Sequence, residues 1–246
     1  MIKVITLITK FIVITLMALF FGSCNQMGNI NSITGSGHVT TEKRTVTGDF
    51  KNVEINNALD LVIEQSDKTE IIVEADDNLQ KEITTKVENG VLVISCKFGN
   101  FINVSSKKIT VKMPVIEGIE ASSASTVNAN TTLKGSNLNL ASSSAASINL
   151  TTEYETVQLS TSSASNQTIK GKALHVEAEA SSGSVINTTD LLANEVVASS
   201  SSGASITVHP IVNLKAKASS GGNITYNGTP KSIQKEENSG GSVHQE

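Results

Sequence analysis

The chain has 246 residues, 38% of them apolar but only 3% aromatic, with no Trp, two Cys and a formal charge of −4. That length holds one large or two small domains, and the core has to be built from Ile, Val, Leu and Ala. Such mild acidity offers no electrostatic footprint for nucleic acid or for an anionic membrane face, so neither is expected as a partner.

Residues 1–23 read as a lipoprotein signal peptide. Lys3 and Lys10 give a basic start, and Phe11–Phe21 is apolar apart from Thr15. This run is short of the roughly 20 residues that span a bilayer. It ends in Phe20-Phe21-Gly22-Ser23-Cys24, which resembles the lipobox of bacterial lipoproteins, where a Cys is acylated and becomes the first mature residue. An ordinary signal peptide with a chance Cys, or an uncleaved anchor, are the alternatives. Lipid on Cys24 makes the membrane a partner while the folded part stays in water. Cleavage removes two Lys and no acid, which takes the net charge to −6. Cys96 then has no partner, and within Val91-Leu92-Val93-Ile94-Ser95-Cys96 it reads as a small buried residue.

Residues 24–37, rich in Asn, Gly and Ser, are expected to be a flexible tether. No acidic run follows Cys24, which favours the periplasmic over the outer face of an outer membrane.

Residues 38–114 form a more charged, strand-like part. Val53, Ile55, Leu61 and Ile63 alternate around Asn57-Ala58, and Ile71, Val73 and Ala75 lead to Asp77-Asn78 in the same way, so both read as degenerate rungs. Glu88-Asn89-Gly90 is a hairpin signal before Val91–Cys96, and Ile109–Met113 is a further strand.

Residues 115–246 repeat a Ser-rich phrase: SSAS, SSAA, SSAS, SSGS, SSGA, SSGG and NSGG. Its second Ser falls at Ser123, Ser144, Ser163, Ser182, Ser202, Ser220 and Ser239, in steps of 21, 19, 19, 20, 18 and 19 residues. A period near 20 signals stacked rungs. Six residues before this Ser stand Leu138, Val157, Val176, Val196 and Leu214; four before it stand Ile119, Leu140, Leu159, Ala178, Ala198 and Ala216. Four residues after it stand Val127, Ile148, Gln167, Ile186, Ile206 and Ile224, with Gln167 the polar misfit. The residue directly after it is Ala or Gly throughout, as a close-packed or positive-φ corner requires. The alternation has period 2, and no helical period of 3.6 is present. A disordered Ser/Thr/Asn stalk would not hold two apolar pairs in register through six repeats.

The fold class is therefore all-β: a parallel β-helix or β-solenoid with rungs of about 19–20 residues, continuous from about residue 50, in two halves meeting near Pro114. The seven Ser form a structural ladder with hydroxyls expected to turn inward. Lys235 and Glu237 occupy inward columns of the last rung, so that rung reads as a cap that opposes edge-to-edge pairing.

Gly48-Asp49-Phe50-Lys51-Asn52-Val53, Val62-Ile63-Glu64-Gln65, Val73-Glu74-Ala75-Asp76-Asp77-Asn78, Asn89-Gly90-Val91-Leu92 and Val111-Lys112-Met113-Pro114, in this order with the Ser-Ser-Gly-Ser repeats, resemble the autotransporter adhesin head GIN domain family of Bacteroidetes-type lipoproteins. The likeness spans about residues 45–230. It implies a β-helical fold and an adhesin label, and supplies no catalytic or binding residue.

Chemistry is sparse. Between Ile119 and Val243 the only Asp is Asp190 and there is no Arg. Glu153/Glu155 and Glu177/Glu179 are outward pairs that read as solvated strand faces rather than acid/base or cation sites. His175 and His209 have no partner at a zinc spacing. No catalytic, metal or cofactor residue is assigned, and no G-x-S-x-G elbow, phosphate loop or EF-hand loop is present.

The leading reading is a non-enzymatic, lipid-anchored lipoprotein of the cell envelope, on the outer membrane and facing the periplasm or the surface. It would act as an adhesin or as a glycan- or protein-binding module. The alternatives are an envelope scaffold without soluble ligand and a carbohydrate-active β-helix enzyme.

Overall fold

The computed structural model describes residues 31–246. The expected signal peptide at 1–23 and the expected acylation site at Cys24 lie outside the described residues, as does the first part of the expected tether.

The architecture follows from one corner. Ser122, Ser123, Ala124 and Ser125 form a turn whose two central residues have φ of 53° and 61°, closed by the Ser125 N–H donating to the Ser122 carbonyl at 3.2 Å. Two positive φ angles and this bond define a type I′ turn, which only short side chains enter at modest cost. The same pair recurs at Ser144/Ala145, Ser163/Ala164, Ser182/Gly183, Ser202/Gly203, Ser220/Gly221 and Ser239/Gly240, and earlier at Asn57/Ala58. Corners are laced to one another by backbone. The N–H of Ala58 donates to the carbonyl of Ser123 at 2.8 Å, that of Ala124 to Ser144 at 2.9 Å, that of Ala145 to Ser163 at 3.0 Å, and so on to Gly221 and Ser239 at 3.2 Å.

The ladder Ser residues are thus in vertical register, but their hydroxyls are exposed, a correction to the inward orientation expected from alternation. A left-handed residue at the tip of a turn points its side chain away from the core. Inward hydroxyls belong to the flanking positions instead: Ser142 Oγ donates to Ser165 Oγ at 3.0 Å, and Thr161 shares a 2.9 Å bond with Ser184. Gln167 is fully buried among them, its amide donating to the carbonyls of Leu140 at 3.1 Å and Ser160 at 3.0 Å.

In chain order the strands are β1 (Ser32–Thr34), β2 (Val39–Arg44), β3 (Asn52–Ile55), β4 (Asp60–Gln65), β5 (Glu70–Asp76), β6 (Ile83–Glu88), β7 (Val91–Cys96), β8 (Asn100–Ile102) and β9 (Lys107–Met113), with one helical turn at Asp77–Gln80. The regular solenoid continues as β10 (Gly118–Ala121), β11 (Thr126–Ala129), β12 (Leu133–Ser142), β13 (Ser147–Thr161), β14 (Asn166–Ala180), β15 (Val185–Ser200), β16 (Ser205–Ala218), β17 (Asn223–Tyr226), β18 (Ser232–Glu237) and β19 (Ser242–Gln245). From β10 onward all pairing between rungs is parallel, with Leu138 beside Val157, Val157 beside Val176, and Val196 beside Leu214. The fold is a β-solenoid.

Each rung has three sides. The first precedes the tight corner and the second follows it. The third is short and runs through Tyr154, Ala173, Ala193 and Pro210, which are paired in succession. At the bend into it Gly171 has φ of 114°, and a Cβ there would run into the Thr152 carbonyl. Tyr154 lies against Gly135, where a Cβ would meet the ring at 2.6 Å, and its hydroxyl donates to the Ile116 carbonyl at 2.9 Å. Burial pushes that phenol up to about 12.

The N-terminal part departs from the expected order. β3 and β4 form a rung around Asn57-Ala58, as the alternation predicts. The second expected rung, through Ile71, Val73 and Ala75, is instead the antiparallel strand β5, with Ile71 opposite Val111 and Arg44. Period-2 alternation is identical in parallel and antiparallel strands, and Asp77-Asn78 opens a helical turn where a corner was expected. Nor does the solenoid run continuously from residue 50: Val53 has Leu92 on one side and Ile119 on the other. β7 and β9 therefore stack outside β3 and β4 although they come later in sequence. The chain then returns past Pro114, and the Glu117 N–H donates to the Lys51 carbonyl at 2.8 Å.

The described part of the expected tether is structured. β1 pairs with β8, and the Gly37 N–H donates to Asp76 Oδ2 at 2.9 Å. Asp76 Oδ1 accepts the N–H groups of Ser105 and Ser106, each at 2.9 Å. Burial alone would raise the Asp76 pKa, but the donations from Ser106, Gly37 and Ser105 outweigh it and hold the carboxyl below its ordinary value.

Three outcomes are expected. Gly171→Ala should cost about 2–4 kcal/mol in urea unfolding, because it combines a left-handed φ with a backbone collision. Gly183→Ala, at φ of 68° with open space and with Ala at the matching position of other corners, should cost under about 1 kcal/mol. Asp76→Asn should destabilise by about 1–3 kcal/mol at neutral pH. Because the folded pKa is depressed, the stability due to the carboxylate is present above its ordinary range and lost as pH falls through the folded value. The gap between parent and variant should therefore close below about pH 4 in pH-dependent melting.

Candidate binding surfaces

On the second side the outward residues form two files, Thr126, Ser147, Asn166, Val185, Ser205 and Asn223 beside Asn128, Asn149, Thr168, Asn187, Thr207 and Thr225. Much of their hydrogen-bonding capacity is spent within the files. Ser147 Oγ donates to Asn166 Oδ1 at 2.9 Å, Asn149 Nδ2 to Ser147 Oγ at 3.3 Å, and Ser242 Oγ to Asn223 Oδ1 at 2.8 Å. This side is a rigid polar plane that holds itself in order.

The first side carries Glu177, Glu179 and His175 of the residues singled out for chemistry. Glu177 accepts from Gln158 Nε2 at 3.2 Å, and His175 Nδ1 lies 3.1 Å from Glu195. Glu179 stands in the next file, in register with Ser160 and Ser199. The face is open and the carboxylates do not converge. Among the described residues no group of three or more His, Cys, Asp or Glu is placed to hold a metal. His209 belongs to the bend into the third side, with Nδ1 2.9 Å from the Thr189 carbonyl. Cys96 is buried, and desolvation raises its thiol pKa.

The third side holds a feature that sequence reasoning missed, a groove of about 420 Å³. Leu174, Leu192 and Ile211 line it together with Glu153, Glu155, Lys172 and Asn194, so that apolar and polar side chains alternate from rung to rung. Glu153 pairs with Lys134 at 2.9 Å, which holds its carboxyl below the ordinary value. The available signal was three aliphatic residues outside every buried column; its meaning depended on the bend at Gly171.

At the C-terminal end the inward charges make a built cap. Lys235 and Glu237 are in register with Ala216 and Ala218. Glu237 Oε1 accepts the Val243 N–H at 2.6 Å, and Lys235 Nζ donates to the Val243 carbonyl at 3.1 Å while lying 4.8 Å from the centre of the Tyr226 ring. Both backbone groups that Val243 would offer to a further strand are thereby taken.

The family described as "Putative auto-transporter adhesin, head GIN domain" matches residues 49–230. Similar solved structures include "a putative adhesin" from Bacteroides fragilis NCTC 9343, with 21% identity and a TM-score of 0.78, covering 87% of this chain and 100% of that one. A "putative adhesin" from Parabacteroides distasonis ATCC 8503 has 21% identity, a TM-score of 0.70 and coverage of 87% and 100%. A "Putative lipid binding protein" from the same organism has 19% identity, a TM-score of 0.67 and coverage of 87% and 99%. At these identities the likeness is one of fold. No curated protein matches this sequence.

Replacing Lys235 with Leu and Glu237 with Ala should free the end of the solenoid for edge-to-edge pairing. Size-exclusion chromatography with light scattering should then show concentration-dependent oligomers; a double variant as monodisperse as the parent would remove the cap from the account.

Proposed function

We propose, from the premise that this chain belongs to the head GIN domain family, that it is a non-enzymatic contact module of the cell envelope, carried on a lipid at Cys24 and working as an adhesin toward glycan or protein. The observation that best supports this is the rigidity of its sides. Every rung is bonded to the next through corners and strands, so side chains keep fixed spacings without a ligand, and little ordering entropy is lost on contact. Glu177 and Glu179 lie on an open strand face, and His175 and His209 sit singly against the Glu195 carboxylate and the Thr189 carbonyl, with no converging group to receive a proton from a substrate. A scaffold without a soluble ligand remains the second reading; it would use the same rigid sides inside the envelope.

The test is made on cells. Cys24→Ala should move the protein from the membrane to the soluble fraction, and protease added to intact cells should remove the parent from the surface. Retention of Cys24→Ala in membranes would overturn the anchor. Full protection from protease in intact cells, with cleavage after lysis, would overturn the adhesin reading in favour of the internal scaffold.

A further inference from the structure

We infer that the N-terminal end of the solenoid is its membrane-facing surface and that the C-terminal cap stands farthest from the lipid. This rests on the lipid at Cys24 and adds to it which end of the module is turned toward a partner.

The chain is pinned well before residue 37, where the tether was expected to end. Ser32–Thr34 is paired with Asn100–Ile102, and the Thr34 carbonyl accepts from Asn78 Nδ2 at 2.8 Å. The Gly35 N–H donates to the Ile102 carbonyl at 2.9 Å and the Ser36 N–H to Asn78 Oδ1 at 3.1 Å. Gly35 sits so close to Asp76 that a Cβ would strike its carboxylate. Only residues 25–31 therefore separate Cys24 from the first fixed residue, Ser32. Whatever their conformation, they reach at most about 28 Å.

The pinned point belongs to one end of the stack. β8 lies in the link between β7 and β9, which stack outside β3 and β4. From the Asn57 corner to the Ser239 corner there are seven corner-to-corner steps, about 34 Å at 4.8 Å each. The far end is therefore beyond the reach of the tether unless the solenoid lies on its side.

The sides do not hold it there. Lying on a bilayer takes a basic face or a continuous apolar one. The chain from Cys24 onward carries a net charge of −6. Its second side presents files of Asn, Ser and Thr, and its first side mixes Glu177, Glu179 and Glu195 with Lys215 and Lys217. The N-terminal end is thus kept near the headgroups by its tether, while the rungs toward Lys235 and Glu237 extend into water.

The experiment uses the full-length, acylated chain reconstituted into phosphatidylethanolamine/phosphatidylglycerol vesicles that carry a gadolinium-chelating lipid. With Cys96→Ala as background, a nitroxide is attached at Lys97→Cys, just before β8, or at Gln234→Cys on the last rung, both exposed positions. Relaxation enhancement by the lipid is expected to be at least fivefold greater at 97 than at 234. Inserting about 20 Gly/Ser residues after Asn29 should lower the value at 97 at least threefold. Equal enhancement at the two positions, greater enhancement at 234, or indifference to the insertion would overturn the inference and leave the anchor in place. Vesicles that float without the protein would overturn the anchor, and this inference with it.

Discussion

The left-handed pair at the tight corner is the constraint on which this molecule depends. Two consecutive positive φ angles exclude β-branched and bulky side chains, and the positions are filled by Ser followed by Ala or Gly, with Asn57-Ala58 as the early variant. The strain is offset because the corner N–H reaches the carbonyl of the next corner, at 2.8–3.2 Å along the stack. Each corner is therefore a rung of a ladder as well as a turn, and it sets the register of everything between one corner and the next. The buried columns of Leu, Val and Ile follow from that register.

This explains why the Ser-rich phrase was legible as structure before any coordinates. The same turn chemistry at a steady period fixes inside and outside, and Leu138, Val157, Val176, Val196 and Leu214 fell into one buried column as read. Three things were not legible. The direction of a strand cannot be read from alternation, so β5 was taken for a rung. The excursion through residues 66–117 places β7 and β9 outside β3 and β4 by tertiary pairing that has no local signal beyond the hairpin at Asn89-Gly90. Alternation also fails at a left-handed tip, which is why Ser123 and its equivalents face water.

The two ends solve one problem by different means. An open rung presents unpaired backbone to any passing strand. At the N-terminal end antiparallel strands cover it: β2 on β5, β5 on β9 and β6 on β7, with Asp76 tying Gly37 to the Ser105-Ser106 loop through three backbone donors. At the other end two charged side chains occupy what would be core positions and bond Val243 directly. The first device needs a long insertion, whereas the second needs only Lys235 and Glu237, which is why only the second could be read from residue identity.

The same regularity that makes the solenoid stiff limits what its flat sides can offer. Where Ser147 bonds Asn166 and Asn149, and Ser242 bonds Asn223, a partner has to displace those bonds before it gains its own, so the polar planes favour broad, low-cost contact over tight capture. Repetition breaks at Gly171: without a side chain it bends the chain away from the second side, and the residues that follow open a concavity in which Leu174, Leu192 and Ile211 alternate with polar side chains. The corner explains the fold, and the bend at Gly171 is where the chain departs from the repeat.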